Sequence, residues 1–471
     1  MKILSVLIFV FPLLSQGQNQ FTDLQTLNGL KESTVIFGDI DGDGDLDAFI
    51  CGWTGGLPAS NFYKNDGDGF FTLMTSQAVE DIFQGSADFG DVDADGDLDL
   101  ILSGYLNGPN EFTSLYLNDG AGNFSESLPN NFNEVNRSAV KFADFDGDND
   151  LDILITGDYG PQPLLNIWEN DGTGNFSLEP YNISLYGVQY SFVAAGDVDG
   201  DDDLDFIAGG LTDNYGRLVR LYMNDGNGNF TFNSLNNFPD LDNGSADFGD
   251  LDNDGDLDLI ITGATISNIP TTKLYSNDGS GTFTEITSNN LTNIQDGVAK
   301  FEDIDCDGDQ DILLAGSEYL NPTFAAEYYV NDGAGNFIFE FCYNLDFVRF
   351  CDIDFGDIDN DGDQDLLVSG ESENGDLTKI YENNCDFTEL KEELSSYTVF
   401  PNPSRGDIII ESKNINPQSL LQLKSLDGKS IPFEFELQNE KLIIMKGLKP
   451  GSYVLKINNN DVIISLKIKV I

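Results

Sequence analysis

The 471-residue chain carries 82 acidic against 22 basic residues and no histidine, a formal charge of −60 at pH 7, so nucleic acid and anionic membranes would repel it. Without histidine it can build neither a Ser/His or Cys/His nucleophile nor a His-ligated zinc site. Its 40% hydrophobic content is enough for a real core spread over two or three domains.

The first stretch, "MKILSVLIFVFPLLSQGQ", has a basic Lys2, an apolar run from Ile3 to Leu14, and small residues Ser15 and Gly17 before Gln18. It reads as a signal peptide over residues 1–17, shorter than the ~20 residues a bilayer span needs. No later segment has the length and apolarity of a transmembrane helix, and a monomer is expected.

Between residues 18 and 390 the chain repeats itself. Aspartate-rich stretches begin at Asp39, Asp91, Asp144, Asp197, Asp250, Asp303 and Asp357, spaced 52, 53, 53, 53, 53 and 54 residues apart. A second signature of the form "NDGxGxF" follows from Asn65, Asn118, Asn170, Asn224, Asn277 and Asn331, with a shorter "NNCDF" from Asn383. Self-similarity at this period marks a repeat architecture. In the second copy, "GSADFGD", "LDLILSG", "TSLYLND" and "NFSESL" read as four strands separated by turn residues. Four antiparallel strands in each of seven copies predict an all-β, seven-bladed β-propeller. "FTDLQTL" at Phe21 and "FTELKEE" at Phe387 both resemble fourth strands. The N-terminal one is expected to complete the last blade, because it precedes Asp39 by nearly the usual interval.

The acidic stretch "DIDGDGDLD" puts five carboxylates into nine residues. Nine extended residues would span ~30 Å, so carboxylates at positions 1, 3, 5 and 9 converge only if the chain loops around a centre. Such a loop needs a residue with positive φ. Position 6 holds Gly44, Gly96, Gly255, Gly308 and Gly362, and otherwise Asn149 and Asp202, the residue types that best tolerate that conformation. Carboxylates ~4 Å apart repel by about 1 kcal/mol per pair even in water, so a cation belongs inside. An all-oxygen, flexible set suits calcium better than magnesium. The loop is not an EF-hand, because its twelfth position is apolar, as at Ile50, Leu102 and Ile155.

"FGDIDGDGDLDAFICG" resembles the FG-GAP/VCBS repeat of integrin-α-like propellers, over about residues 21–390. The resemblance implies about seven calcium ions, each held by side chains at positions 1, 3, 5 and 9 and the carbonyl at position 7. The implied ligands are Asp39, Asp41, Asp43, Asp45 and Asp47; Asp91, Asp93, Asp95, Asp97 and Asp99; Asp144, Asp146, Asp148, Asp150 and Asp152; and Asp197, Asp199, Asp201, Asp203 and Asp205. The later repeats supply Asp250, Asp252, Asp254, Asp256 and Asp258; Asp303, Asp305, Asp307, Asp309 and Asp311; and Asp357, Asp359, Asp361, Asp363 and Asp365. Position 6 departs in the third and fourth repeats. Gln310 and Gln364 replace the usual leucine before the last ligand, and no ligand is lost.

In a four-stranded meander the first-to-second and third-to-fourth turns share a face, so the acidic loops and the "NDGxGxF" hairpins should lie together. A partner is then expected on the opposite face. Phe37, Phe89, Phe142, Phe248, Phe301 and Phe355 recur two residues before the first ligand and read as core. Eight and seven residues before it the chain varies, with Lys31/Glu32, Phe83/Gln84, Asn136/Arg137, Gln189/Tyr190, Asp242/Asn243, Gln295/Asp296 and Arg349/Phe350. The second-to-third loops add Trp53, Tyr105, Tyr159, Tyr215 and Tyr319. Rings beside amides and carboxylates suit a glycan or protein ligand. No catalytic constellation stands out among so many carboxylates, so a recognition or adhesion module is expected ahead of the alternative, a polysaccharide lyase or hydrolase.

Five cysteines, Cys51, Cys306, Cys342, Cys351 and Cys385, are too few for a disulfide framework in a chain of this size. They read as small buried residues, with a Cys342/Cys351 bridge conceivable.

After a linker at 391–396 the composition changes, with 10 Lys/Arg against 7 Asp/Glu from residue 395 onward. "YTVFPNPSRGDIIIE", "LKSLDGKSI" and "GLKPGSYVLKI" alternate apolar residues at period two between turns, which predicts a small C-terminal β-sandwich over 397–471. "FPNPSRG" with "LKPGSYVLKI" resembles the type A C-terminal sorting domain of type IX secretion in Bacteroidota. That resemblance implies handling by the type IX machinery, then release or attachment at the outer cell surface.

Overall fold

A computed structural model describes residues 20–384 except 76, 109, 130, 161, 179–184, 214–215, 288, 319–323 and 341–344, together with seven strands between 397 and 470. The expected signal peptide, the linker at 391–396, Cys342, Cys385, Tyr215 and Tyr319 lie outside the described residues. The chain divides into two compact units, Met1–Asn384 and Cys385–Ile471. Among the described residues there is no α-helix.

The first unit is a succession of four-stranded antiparallel sheets. β1 (Phe21–Gly38), β2 (Asp47–Trp53), β3 (Pro58–Asn65) and β4 (Phe71–Met74) form one; β5 (Phe83–Gly90), β6 (Asp99–Tyr105), β7 (Glu111–Asn118) and β8 (Phe124–Glu126) the next. β9 (Asn136–Ala143), β10 (Asp152–Tyr159), β11 (Gln162–Asn170) and β12 (Phe176–Leu178) follow, then β13 (Gln189–Gly196), β14 (Asp205–Leu211), β15 (Arg217–Met223) and β16 (Thr231–Phe232). β17 (Ala246–Gly249), β18 (Asp258–Ala264), β19 (Pro270–Ser276) and β20 (Thr284–Glu285) precede β21 (Gln295–Glu302), β22 (Asp311–Ser317), β23 (Phe324–Asn331) and β24 (Phe337–Glu340). β25 (Val348–Gly356), β26 (Asp365–Ser372) and β27 (Gly375–Asn383) end the series. This repetition is propeller-like, as the period in the sequence predicts.

Strand β1 belongs to two sheets. Its first half pairs with β27, Phe21 opposite Asn383 and Thr26 opposite Lys379, while its second half pairs with β2, Val35 opposite Ile50 and Gly38 opposite Asp47. The N-terminal segment therefore supplies the fourth strand beside β25–β27, and Phe21 is buried there with Val348, Leu366 and Tyr381.

Each second strand is nearly all apolar and buried, as in "DAFICGW", because sheets stack on both of its faces. The cores accordingly form between sheets. Ile40, Phe49 and Phe62 pack against Ile82, Leu100, Leu102 and Tyr116 of the next sheet. Leu30 and Val35 pack in the same way against Ile358, Leu367 and Ile380 of the last. A single sheet could not bury its faces alone. Fourth strands are short and exposed, which limits edge-to-edge pairing. Of the recurring phenylalanines, Phe142 and Phe301 are buried, whereas Phe37, Phe89, Phe248 and Phe355 are only half-buried.

The cysteines depart from the expectation. Cys351, in β25, is a free thiol, so the conceivable Cys342/Cys351 bridge does not form. Cys306, in the sixth acidic loop, is disulfide-bonded.

In the second unit β28 (Tyr397–Phe400), β29 (Ile408–Ser412), β30 (Leu420–Ser425), β31 (Glu434–Gln438), β32 (Lys441–Met445), β33 (Gly451–Asn459) and β34 (Val462–Val470) form two antiparallel sheets, ordered β28-β29-β32-β31 and β30-β33-β34.

Candidate functional site

Two constellations sit at opposite ends of the first strands. At one end are the acidic loops. In the first, Asp39 accepts the backbone N–H groups of Asp43 and Gly44 at 3.1 and 3.0 Å, which winds the loop around its carboxylate. Buried Asp47 accepts N–H from Ile40 at 3.3 Å and from Asn65 at 2.8 Å. The second loop repeats the pattern, Asp91 with Asp95 and Gly96, and Asp99 with Val92 and Asn118. Position 6 has positive φ throughout, 94° at Gly44, 74° at Asn149 and 70° at Asp202, as the loop geometry requires.

Position 4 is also left-handed, at Gly42, Gly147, Gly200, Asn253 and Asn360 as those residue types allow, and at Ala94 and Cys306, with φ 59° and 60°, against their preference. The position 7 aspartate has a second structural part. Gly67 of the hairpin stands so close to Asp45 that a Cβ would lie 2.4 Å from its Oδ2. The "NDG" glycine therefore leaves room for that carboxylate.

The hairpin asparagine joins neighbouring repeats. Asn118 Nδ2 donates to Leu98 O of its own loop at 3.1 Å and to Ile40 O of the preceding loop at 2.7 Å. The same bond to the preceding loop runs from Asn170 to Val92, Asn224 to Phe145, Asn277 to Val198, Asn331 to Leu251 and Asn383 to Ile304. Asn65 closes the cycle by donating to Ile358 at 2.7 Å.

The carboxylates of these loops suit a cation. One oxygen from each of Asp39, Asp41 and Asp43 lies within 4.8 Å of the others, as do oxygens of Asp91, Asp93 and Asp99, of Asp144, Asp146 and Asp152, of Asp197, Asp199 and Asp205, and of Asp250, Asp252 and Asp254. Asp41, Asp93 and Asp199 each bury an Oδ1 without a hydrogen-bond partner, an arrangement that costs free energy unless something positive meets it. Burial, reinforced by the neighbouring acids, pushes the position 9 carboxyls up, to about 7 at Asp47, Asp152, Asp205, Asp311 and Asp365 and to about 6 at Asp99 and Asp258. In the first loop the Lys64 ammonium lies against Asp41 and 2.9 Å from Asp43, standing where a cation fits. The donor set is all oxygen, and hard divalent ions fit it.

At the other end of the first strands, seven residues back and so roughly 20 Å away, lies the mouth of an axial cavity. Glu32, Gln84, Arg137, Tyr190, Asn243, Asp296 and Phe350 line this mouth, which encloses about 200 Å³. It shares Ser33, Gly85, Ser138, Ser191, Gly244, Gly297 and Cys351 with a deeper cavity of about 390 Å³ walled by the first strands. All seven rim residues are left-handed, with φ between 45° and 52°. Pairing slips beside them, for example between Lys31 and Thr34 and between Arg349 and Asp352. Each bulge turns the variable side chain toward the axis.

The positions one residue earlier flank the rim instead. Lys31 pairs with Glu371 and Asp376 at 3.3 and 3.4 Å, Arg349 with Glu371 at 3.0 Å, and Arg217 with Asp242 at 2.9 Å. Trp53, Phe83 and Tyr105 form an aromatic row with centroid separations of 4.7 and 5.6 Å. The Arg137 guanidinium lies 5.6 Å from the Tyr105 ring and 4.5 Å from that of Tyr190. Tyr159 is exposed.

Deeper polar groups tie the inner wall together. Asp88 accepts the N–H of Phe142, Asp247 that of Phe301, Asp352 that of Val35 and Asp354 that of Phe37, at 2.8 to 3.1 Å. Lys300 faces Asp354 at 3.5 Å.

The FG-GAP-like repeat family matches residues 39–102, 91–155, 144–208 and 197–261. A secretion system C-terminal sorting domain matches residues 398–471. A search of curated proteins returns no match. Among solved structures, Trypanosoma rangeli sialidase in complex with 2,3-difluorosialic acid aligns over 96% of this chain and 87% of its own at 8% identity and a TM-score of 0.40. A T. rangeli sialidase mutant displaying trans-sialidase activity aligns over the same shares at 9% identity and 0.38. The chain thus carries FG-GAP-like repeats and a type IX sorting domain that marks it for secretion and outer-surface attachment.

Proposed function

We propose that the repeat unit is a seven-bladed, calcium-loaded β-propeller, presented outside the cell, that recognises a glycan or protein at the axial mouth. The observation carrying this reading is the contrast between the two ends of the first strands. At the loop end the same aspartates recur in every repeat, as a shared structural task requires. At the mouth the seven residues are glutamate, glutamine, arginine, tyrosine, asparagine, aspartate and phenylalanine. Residues needed only for packing would have no reason to differ in charge and size around one ring, whereas a ligand with distinct sides would.

Calcium in the loops would be held by the side chains at positions 1, 3, 5 and 9, from Asp39, Asp41, Asp43 and Asp47 in the first repeat onward, and by the position 7 carbonyl. It would supply the positive charge that buried carboxylates such as Asp47 need to stay ionised. The surrounding N–H groups and the asparagine cycle hold the loops in place.

Binding without turnover is the expected behaviour. Immobilised glycans and extracellular proteins should capture the purified chain in calcium, while a polysaccharide panel incubated with it should release no new reducing ends. Depolymerisation would favour the enzyme alternative, and neither capture nor cleavage would reduce the chain to a structural surface protein.

A further inference from the structure

We infer that the axial mouth is built for the terminal unit of a neutral, polyhydroxylated sugar, a reading that rests on the recognition role proposed above. Among the described residues lining the rim, Arg137 is the one cationic side chain, against two carboxylates, Glu32 and Asp296. Below them the shared cavity holds Asp88, Asp247, Asp352 and Asp354 against Lys141 and Lys300. An anionic ligand entering this mouth would be repelled by the carboxylate majority, whereas a neutral ligand is not. A cationic ligand would be attracted by the same majority, so basic members of the peptide set are the competing class.

Hydrogen-bond chemistry narrows the class further. Arg137 only donates, the carboxyl oxygens of Glu32 and Asp296 accept, and the side-chain amides of Gln84 and Asn243 do both. Sugar hydroxyls also donate and accept, so one ring can satisfy every member of this set at once. The Nε of Arg137 is buried without a hydrogen-bond partner, leaving a donor whose need the protein itself does not meet. Tyr190 and Phe350 add ring faces on which the C–H side of a sugar can lie.

The backbone supports a ligand role. Bulky Phe350, Tyr190 and Arg137 stand at φ 45°, 48° and 48°, where glycine would rest without strain. The strand pairing imposes this conformation in every repeat, and its recurrence around one cavity gathers seven different side chains at a single point.

The test uses the full chain in calcium against an array of neutral gluco-, galacto-, manno- and xylo-oligosaccharides, acidic oligosaccharides and peptides, followed by calorimetric titration of the hits. Glu32→Gln and Asp296→Asn preserve shape, and each is expected to weaken neutral-sugar binding at least fivefold. Tyr190→Ala is expected to abolish it, and Lys273→Ala, away from the mouth, to leave it unchanged, with melting temperatures reported for all four. Neutral-sugar binding that ignores the three mouth variants would overturn this site while leaving the recognition role standing. Binding of acidic oligosaccharides or peptides alone would overturn the ligand class. No binding by any probe would overturn both.

Discussion

The side-chain amide of Asn65 donates to the carbonyl of Ile358 at 2.7 Å, across 293 residues of chain, and so ties the first repeat to the last. Both groups are buried, and the same Nδ2 also serves Leu46 O at 3.1 Å. Asn65→Ala therefore leaves two carbonyls short of a partner. We expect a loss of about 1–3 kcal/mol, measured by denaturant unfolding in calcium. Asn170→Ala, between adjacent repeats, should cost a similar amount. A loss under about 0.5 kcal/mol for both would show that the asparagine cycle does not hold the repeats together.

Phe21 is 1% exposed and fills the space between β1 and β25–β27. Phe21→Ala should cost about 3–5 kcal/mol, whereas Phe232→Ala, on a short outer strand and 38% exposed, should cost far less. Equal losses in thermal or denaturant unfolding would mean that the N-terminal strand does not seal the last sheet.

Lys64 supplies the first acidic loop with a cation of its own, where the equivalent residues of the third and seventh repeats are Glu169 and Glu382. The first loop should accordingly be the weakest calcium site. Lys64→Ala should raise the affinity of one site in a calorimetric calcium titration by roughly tenfold, about 1.4 kcal/mol. No change, or a fall, would place Lys64 outside the metal's reach.

Burial raises the Asp352 carboxyl to about 6, with Lys300 pulling the other way. Because the folded value lies above the unfolded one, this group favours folding while it is protonated. That contribution is lost as pH rises through about 6. Asp352→Asn keeps an acceptor for the Val35 N–H and should melt higher than the parent at pH 7.5, the difference fading by pH 4. A variant that melts lower at pH 7.5 and is unchanged at pH 4 would reverse the sign.

The repeat, its four strands and the acidic loops were legible because each rests on identity across copies. Asp39 to Asp47 and Asn65 recur at fixed spacing, and position 6 is restricted to residues that accept positive φ. The varied residues before each loop could be nominated only by their difference. Their left-handed backbone was hidden, because Phe350 and Arg137 carry no propensity for it and the strand pairing around them imposes it. The asparagine cycle was equally invisible, since Asn65 and Ile358 meet only once the first and last sheets are in place. Cys306 follows the same rule, a disulfide partner being a matter of three-dimensional proximity rather than spacing. The split role of β1 was readable from the interval between Phe21 and Asp39, although "FTELKEE" at Phe387 offered a second fourth strand for the same place.

The most direct measurement is calcium stoichiometry with thermal unfolding of the full chain, before and after chelation. Each site would add about 2.7 kcal/mol if calcium stood at 100 times its dissociation constant. About seven ions per chain are expected, with a large fall in melting temperature when they are removed. One or two ions, or a melt that chelator leaves unchanged, would contradict that expectation and make the acidic loops solvated turns.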